Sequence, residues 1–209
     1  MTTPQKLIIF DMDGTLVDSS LTIVNAINYV RSKLGLSPLE EALILTKVND
    51  PELNPALFFY ETESFSEEQE EWFSEYYTNN HEKELRLYDG IETLLKTLKE
   101  HGYLLAVATN AYRGSTLESL GHLNILDYFS SIACYDDVGR GKPAPDMLEK
   151  NVEETKVEVK NAIFVGDSER DLMAANTMDM HYIMINWGFS DYIDAIHSVE
   201  LLKEKILEF

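Results

Sequence analysis

The sequence predicts an α/β fold in which a parallel β-sheet is surrounded by helices and interrupted by a helical segment. Five short apolar runs have the character of buried strands, and helical stretches separate the last four of them. Alternation of strand and helix builds a parallel sheet with right-handed crossovers. The predicted strands are 7–10, 104–108, 132–134, 162–165 and 182–185.

The pattern changes between residues 17 and 84, where helices and turns occur without a clear strand. We therefore predict two domains, an α/β core of residues 1–16 and 85–209 and a helical domain of residues 17–84 inserted after the first strand. Two helix starts are well marked. Ser66 opens a capping box in the insert, and Gly90 precedes an amphipathic helix in the core.

The composition excludes several kinds of partner. The 209 residues include 37 acidic and 17 basic side chains, which give a net charge of −20 at pH 7. Nucleic acids and anionic membranes bind basic surfaces, so neither is expected as a partner. No apolar run approaches membrane length and no signal peptide is recognisable, so we expect a cytoplasmic protein. The single cysteine, Cys134, has apolar neighbours and should be buried; the sequence indicates no oligomeric state.

Polar side chains follow the first predicted strand. Asp11 and Asp13 would point to the same side, because side chains alternate along a strand, and Gly14 lets the backbone approach a ligand closely. In isolation this pattern fits a turn equally well. A calcium-binding loop is excluded, because Thr15 and Leu16 occupy positions that such a loop gives to Asp or Asn and to Gly.

Three more polar groups follow the other strands. Thr109 and Asn110 come after the second strand, Lys142 lies on a loop rich in Gly and Pro, and Asp167 and Asp171 follow the fourth strand. Simpler explanations exist for each: a helix-capping turn, an exposed lysine and a helix-capping box. Yet ligands of parallel sheets bind beyond the carboxyl ends of the strands, so the groups together predict a site there.

Residues 11–19, Asp-Met-Asp-Gly-Thr-Leu-Val-Asp-Ser, resemble the first motif of the haloacid dehalogenase superfamily, whose members are mostly phosphatases. The three later motifs of that family are matched in order by Thr109, by Lys142 before a proline and by Gly-Asp-Ser-x-x-Asp at 166–171. The resemblance implies a Rossmann-like core. It also implies that the inserted helices resemble the cap that many of these phosphatases carry after the first strand.

The resemblance implies roles in phosphoryl transfer. Asp11 would be the nucleophile that forms an aspartyl-phosphate, and Asp13 would be the general acid and base. Thr109 and Asn110 would bind the phosphate of the substrate, and Lys142 would hold the nucleophile and the phosphate together.

The resemblance also implies a magnesium site. Asp11, the backbone carbonyl of Asp13 and Asp167 would bind Mg²⁺, and Asp171 would steady the site; Mg²⁺ prefers a few carboxylates together with water and a phosphate. Two like charges about 4 Å apart cost on the order of 4 kcal/mol at an effective dielectric constant of 20. Mg²⁺ and Lys142 would thus be needed to reverse the repulsion between these carboxylates and a phosphate dianion.

We therefore predict a Mg²⁺-dependent phosphatase acting on a small phosphomonoester, similar to the phosphoglycolate phosphatase group. The alternatives are a sugar-phosphate mutase of the β-phosphoglucomutase type and a phosphate-binding module without turnover. Such a mutase carries a histidine on its hinge helix, where this sequence has Ile23, which favours hydrolysis. Lys47 is the candidate for binding the rest of the substrate, although it fits a solvated lysine at a helix end equally well.

Overall fold

The computed structural model describes residues 5–48, 50, 52–187 and 194–209. The chain forms two compact units. The core unit comprises Met1–Asp18 and Leu87–Phe209, and the inserted unit comprises Ser19–Arg86. That the inserted unit serves as a substrate-binding cap stays a prediction.

A five-stranded parallel sheet forms the centre of the core unit. Its strands begin and end within one residue of the predicted runs, so the predicted α/β fold is confirmed. Two further strands of two residues each mark the places where the chain passes from one unit to the other. The strands of the described residues are β1 (Leu7–Phe10), β2 (Val17–Asp18), β3 (Arg86–Leu87), β4 (Leu104–Thr109), β5 (Ser131–Cys134), β6 (Ala162–Gly166) and β7 (His181–Met184).

The order of the strands places β1 in the middle of the sheet, between β4 and β6. Phe10 of β1 is aligned with Val107 of β4 and with Val165 of β6, so the three strands end at nearly the same level. All four side chains of β1 are fully buried, which requires cover on both faces of the sheet. The chain continues from β1 to β4 and β5 on one side and then returns to β6 and β7 on the other, and ligands of such sheets bind at the carboxyl ends of the strands where the order reverses.

Nine α-helices lie within the described part of the chain, four in the inserted unit and five in the core unit. The helices are α1 (Ser20–Lys33), α2 (Glu41–Val48), α3 (Pro55–Tyr60), α4 (Glu67–Glu84), α5 (Ile91–Glu100), α6 (Arg113–His122), α7 (Asp146–Thr155), α8 (Glu169–Thr177) and α9 (Val199–Glu208).

Both marked helix starts are confirmed. The Ser66 Oγ accepts a hydrogen bond from the Gln69 backbone N–H at 3.2 Å, and the Gln69 Oε1 accepts one from the Ser66 N–H at 3.1 Å, which completes a capping box at the start of α4. Helix α5 begins after Gly90, whose φ of 89° lies in the left-handed region. The predicted apolar side of α5 is buried and consists of Ile91, Leu94, Leu95 and Leu98.

The inserted unit differs from the sequence pattern in detail. The pair Asn54-Pro55 breaks the helical pattern of the sequence, and in the structure it begins α3: the Asn54 Oδ1 accepts a hydrogen bond from the Leu57 N–H at 3.2 Å. The sequence gives α4 an aromatic side that is only partly buried: Tyr77 is buried, and Trp72 and Phe73 pack against the core of the unit while partly exposed. The core of this unit consists of Val24, Ile27, Val30, Ile44, Phe59 and Tyr60.

Candidate active site

Three carboxyl groups meet at the carboxyl end of the central strands. Asp11 follows β1, Asp167 follows β6, and Asp171 lies in the first turn of α8. One oxygen of each lies within 4.8 Å of the others, and each residue is at most 6% exposed. In the part of the chain that the structure describes, this is the one cluster of three or more potential metal ligands.

Lys142 supplies a buried positive charge to this cluster. Its Nζ donates a hydrogen bond to the Asp11 Oδ1 at 2.5 Å and forms an ion pair with the Asp171 Oδ1 at 2.6 Å, and the residue is 7% exposed. Burial alone would lower the pKa of Lys142, but the charges of Asp11 and Asp171 raise it above its ordinary value. Lys142 is therefore a permanent cation that holds two of the three carboxylates.

One ammonium does not balance the carboxylates around it. The pKa of Asp11 is raised to about 7, because burial and the charges of Asp171 and Asp13 together outweigh the opposing charge of Lys142. Burial also raises the pKa of Asp167 well above its ordinary range, and the charges of Asp11 and Asp171 add to this effect. Buried oxygen ligands with excess negative charge fit a hard divalent cation such as Mg²⁺.

Asp171 has two functions in the structure, one local and one at the site. The Ser168 N–H donates to its Oδ2 at 3.2 Å and the Asp171 N–H donates to the Ser168 Oγ at 3.4 Å, which forms the capping box predicted for α8; the Ser168 Oγ also donates to the Oδ2 at 2.7 Å. The Asp171 Oδ1 forms the ion pair with Lys142. Asp171 can therefore cap α8 and take part in the site at the same time, because each role uses a different oxygen of its carboxylate.

Two glycines allow the carboxylates to approach the backbone. A Cβ on Gly14, whose φ is +83°, would lie 2.4 Å from the Asp167 Oδ2. A Cβ on Gly166 would lie 2.6 Å from the Asp171 Oδ2. Gly14 was expected to make room for a ligand, but in the structure it makes room for Asp167; the role of Gly166 was not foreseen.

Sequence reasoning also missed the contacts that Thr15, Trp187 and Tyr88 make near Asp167. The Thr15 Oγ1 donates to the Asp167 Oδ1 at 3.4 Å, and the Trp187 Nε1 donates to the Thr15 carbonyl at 2.9 Å. The ring of Tyr88 lies 6.1 Å from that of Trp187. Burial raises the pKa of Tyr88, and the charges of Asp18, Asp167 and Asp13 raise it further. Only Thr15 lies in a motif, so the sequence carried no signal for the two aromatic residues.

The predicted phosphate-binding residues lie beside the cluster at the end of β4. The Thr109 Oγ1 accepts a hydrogen bond from the Ala111 N–H at 3.1 Å, as in the capping turn considered above. The side chain of Asn110 is bound to the backbone of Lys142. Asp13 is partly exposed and close enough to Asp11 to raise its pKa. The roles predicted for Thr109, Asn110 and Asp13 stay predictions.

Lys47 lies in the last turn of α2, in the inserted unit. Its Nζ forms an ion pair with the Asp50 Oδ2 at 2.9 Å, and its side chain is 35% exposed. The turn in which we predicted it includes Asn49 and Pro51, which lie outside the described residues. Ile23, at the position of the mutase histidine, packs against the core of the same unit.

Comparison with known proteins identifies the family. The sequence model of haloacid dehalogenase-like hydrolases matches residues 8–185. The chain belongs to this family. The predictions of the family and of a phosphatase are confirmed, and the roles of the residues in the motifs stay predictions.

Relatives and solved structures agree with this assignment. The chain is 30% identical to a phosphoglycolate phosphatase of Aquifex aeolicus over 88% of this chain and 86% of that protein. It is 32% identical to a phosphoglycolate phosphatase of Yersinia pseudotuberculosis over 90% of this chain and 83% of that protein. A crystal structure described as a predicted phosphatase from Clostridium acetobutylicum superposes with a TM-score of 0.84 and 27% identity, covering 99% of this chain and 100% of the other.

Two remaining sequence predictions concern burial and membranes. Cys134 is buried, as predicted, and burial raises its pKa to about 11. None of the helices in the described residues combines the length and the apolar character needed to cross a membrane.

Replacing Asp167 with asparagine should stabilise the metal-free protein. The change removes a buried charge that lies next to two other carboxylates, while the amide can still accept from Thr15. A gain of about 1 kcal/mol would raise Tm by about 2–4 °C in a chain of this size. We expect this rise in EDTA by differential scanning calorimetry. Mg²⁺ is expected to raise the Tm of the unmodified protein, and the variant should lack this increase.

The matched control is Asp127→Asn, which removes an exposed carboxylate from the same unit. It should leave both the Tm in EDTA and the response to Mg²⁺ unchanged. A lower Tm for Asp167→Asn in EDTA would mean that Asp167 stabilises the metal-free fold and does not destabilise it.

Proposed function

We propose that this protein is a Mg²⁺-dependent phosphatase that hydrolyses a small phosphomonoester through an aspartyl-phosphate on Asp11. The observation that carries the proposal is the buried Asp11–Lys142–Asp171 arrangement beside Asp167, at the crevice where a parallel sheet binds its ligands. Asp11, Asp167 and the carbonyl of Asp13 would hold the metal ion. When bound, Mg²⁺ would offset the carboxylate charge and that of the phosphate oxygens.

In the first step, a carboxylate oxygen of Asp11 forms a bond to phosphorus as the bond between phosphorus and the ester oxygen breaks. Lys142 orients Asp11 through the bond to its Oδ1 and attracts the phosphate. The electron pair of the broken bond goes to the leaving oxygen, and Asp13 gives that oxygen a proton. The alcohol is then free to leave.

In the second step, water attacks the phosphorus of the aspartyl-phosphate. Asp13, now a carboxylate, accepts a proton from this water, and the bond between phosphorus and Asp11 breaks. Inorganic phosphate leaves, and both aspartates return to their starting states. The same Asp13 thus serves as acid and then as base, and no other proton carrier is required.

Hydrolysis is favoured over phosphoryl transfer between two positions of a sugar. Ile23 has no proton to transfer, and it packs within the apolar core of the inserted unit. The complete set of catalytic groups argues against a module that binds phosphate without turnover. The cytoplasmic location stays a prediction from the sequence.

The substrate is a small phosphate ester, and phosphoglycolate is the first candidate because it is named in the relatives. One relative with 26% identity is described as a pyrophosphatase, so pyrophosphate is the second. We expect release of inorganic phosphate from phosphoglycolate in Mg²⁺ and its loss, by at least about 100-fold, in EDTA, because Lys142 alone does not offset the negative charge of the site. A colorimetric phosphate assay with p-nitrophenyl phosphate and β-glucose 1-phosphate as comparison substrates makes the measurement.

Full activity after dialysis against EDTA would overturn the metal assignment. Conversion of β-glucose 1-phosphate to glucose 6-phosphate with little free phosphate would overturn the hydrolase proposal in favour of the mutase. Binding of phosphate esters without turnover of any of them would leave only the binding module.

Lys47 is proposed to bind the anionic end of a substrate such as phosphoglycolate. Lys47→Ala should then raise KM for phosphoglycolate about 10-fold or more and change KM for p-nitrophenyl phosphate little, because only the former carries a second anion. The matched control is Lys83→Ala, at the last turn of α4 in the same unit. Equal effects on both substrates would leave Lys47 as the surface partner of Asp50.

A further inference from the structure

We propose that Asn110 is a positioning residue for Lys142, whose backbone it holds through both ends of its carboxamide. The Asn110 Nδ2 donates to the Lys142 carbonyl oxygen at 3.1 Å, and the Lys142 N–H donates to the Asn110 Oδ1 at 2.8 Å. We call this pair of hydrogen bonds the Asn110 clasp. The inference rests on the proposed function, in which Lys142 holds Asp11 in place for its attack.

The clasp joins two segments that carry different parts of the site. Asn110 directly follows β4, a strand buried beside β1, and Lys142 lies on the loop between β5 and α7. A lysine side chain has four rotatable methylene groups, so its ammonium is well placed only if its backbone is fixed. Two hydrogen bonds to one residue fix both the position and the orientation of that backbone, and the Nζ then reaches Asp11 and Asp171.

Gly141 leaves the space that the Asn110 clasp needs. A Cβ at this position would lie 2.7 Å from the Asn110 Oδ1 and 2.7 Å from the ring of Tyr135. Any side chain at position 141 would therefore push the loop away from Asn110. The Tyr135 N–H in turn donates to the Ala111 carbonyl at 3.1 Å, which joins the end of β5 to the segment that carries Asn110.

The chemistry of the clasp requires an amide. The backbone of Lys142 offers one donor and one acceptor, and asparagine carries the matching acceptor and donor on two separate atoms, whereas a serine or threonine hydroxyl has both on one oxygen. The predicted role of Asn110 in binding phosphate is thereby refined. Its Oδ1 and one of its Nδ2 hydrogens are engaged with Lys142, so the contribution of the side chain to catalysis runs through the lysine.

A double-mutant cycle between Asn110→Ala and Gly141→Ala tests the clasp. Each change should lower kcat about 10- to 100-fold, because a displacement of about 1 Å at a catalytic group can cost that much. KM should change less than about threefold, because the clasp positions Lys142 and does not touch the substrate. Tm should change by no more than a few degrees, because a hydrogen bond contributes about 1 kcal/mol to stability. The kcat of the double variant should be about that of the less active single variant, since both changes disrupt the same contact.

Gly139→Ala is the matched control, because a Cβ there would meet its nearest atom, the Asp146 Oδ2, at an ordinary 3.8 Å. It should retain full activity. Losses that multiply in the double variant, or a rise in KM larger than the fall in kcat, would overturn the clasp and return Asn110 to direct phosphate binding.

Lys142→Ala separates this inference from the proposed function. If Lys142→Ala retains full activity, the proposed mechanism fails. If Lys142→Ala loses activity while Asn110→Ala and Gly141→Ala keep full kcat, only the clasp fails.

Discussion

Replacing Asp11 with asparagine should reduce kcat by at least about 10⁴-fold, the scale of loss seen when a covalent nucleophile is removed. An amide does not attack phosphorus, but its oxygen can still accept the hydrogen bond that Lys142 donates to Asp11. The variant should therefore fold normally and still bind inorganic phosphate. Steady-state kinetics with phosphoglycolate measure the loss, and calorimetry verifies the fold.

The intermediate itself provides a second measurement. Acid quenching of the unmodified enzyme during turnover should leave phosphate on the peptide that contains Asp11, whereas the Asp11→Asn variant should carry none. Asp127→Asn, which changes an exposed carboxylate of the same unit, serves as the control and should keep full activity. Phosphate found on another residue, or activity retained by Asp11→Asn, would assign the nucleophile elsewhere.

Replacing Asp13 with asparagine should slow hydrolysis of alkyl phosphate esters about 10²- to 10⁴-fold, the usual contribution of a general acid. The loss should shrink for leaving groups that need no proton, such as those of acyl phosphates. The measurement is kcat/KM for a series of esters whose leaving groups differ in pKa. A loss of the same size across the series would show that Asp13 acts through the geometry of the site and not as an acid.

The two steps of the mechanism predict a further property of Asp13→Asn. With p-nitrophenyl phosphate the first step needs little acid catalysis, but hydrolysis of the aspartyl-phosphate still needs a base. The variant should therefore release a rapid burst of p-nitrophenol followed by a slow steady rate. Stopped-flow absorbance detects the burst, and its absence would assign the base of the second step to another group.

The sequence by itself was sufficient to predict the parallel sheet and the amphipathic helix α5. Strands of a parallel sheet are buried on both faces, so their sequences are continuous apolar runs. For this reason the boundaries of β1, β4 and β6 could be predicted to within one residue. Helix α5 was equally clear, because its apolar side repeats with the helical period. The family motifs predicted a site that includes Asp11 and Asp167, because their signals are contiguous in the chain, and the structure brings these two residues together.

The inserted unit was less predictable for a physical reason. In a small group of helices, the side of each helix that is buried depends on its neighbours rather than on its own period. Helix α4 buries Gln69 and His81 and leaves most of its predicted aromatic side partly exposed. The sequence signals that were decisive there were local, such as the capping box at Ser66.

Only the tertiary structure decided how the site is held together. Asn110 and Lys142 are 32 residues apart, and Thr15 and Trp187 are 172 apart, so their hydrogen bonds depend on the order of the strands in the sheet. That order is not written in the apolar pattern of any one strand. The reason for a glycine at position 166 is likewise evident only in the folded structure, where the Asp171 side chain lies against it. The sequence thus predicted which groups would carry the chemistry, and the packing of distant segments decided which residues hold them in place.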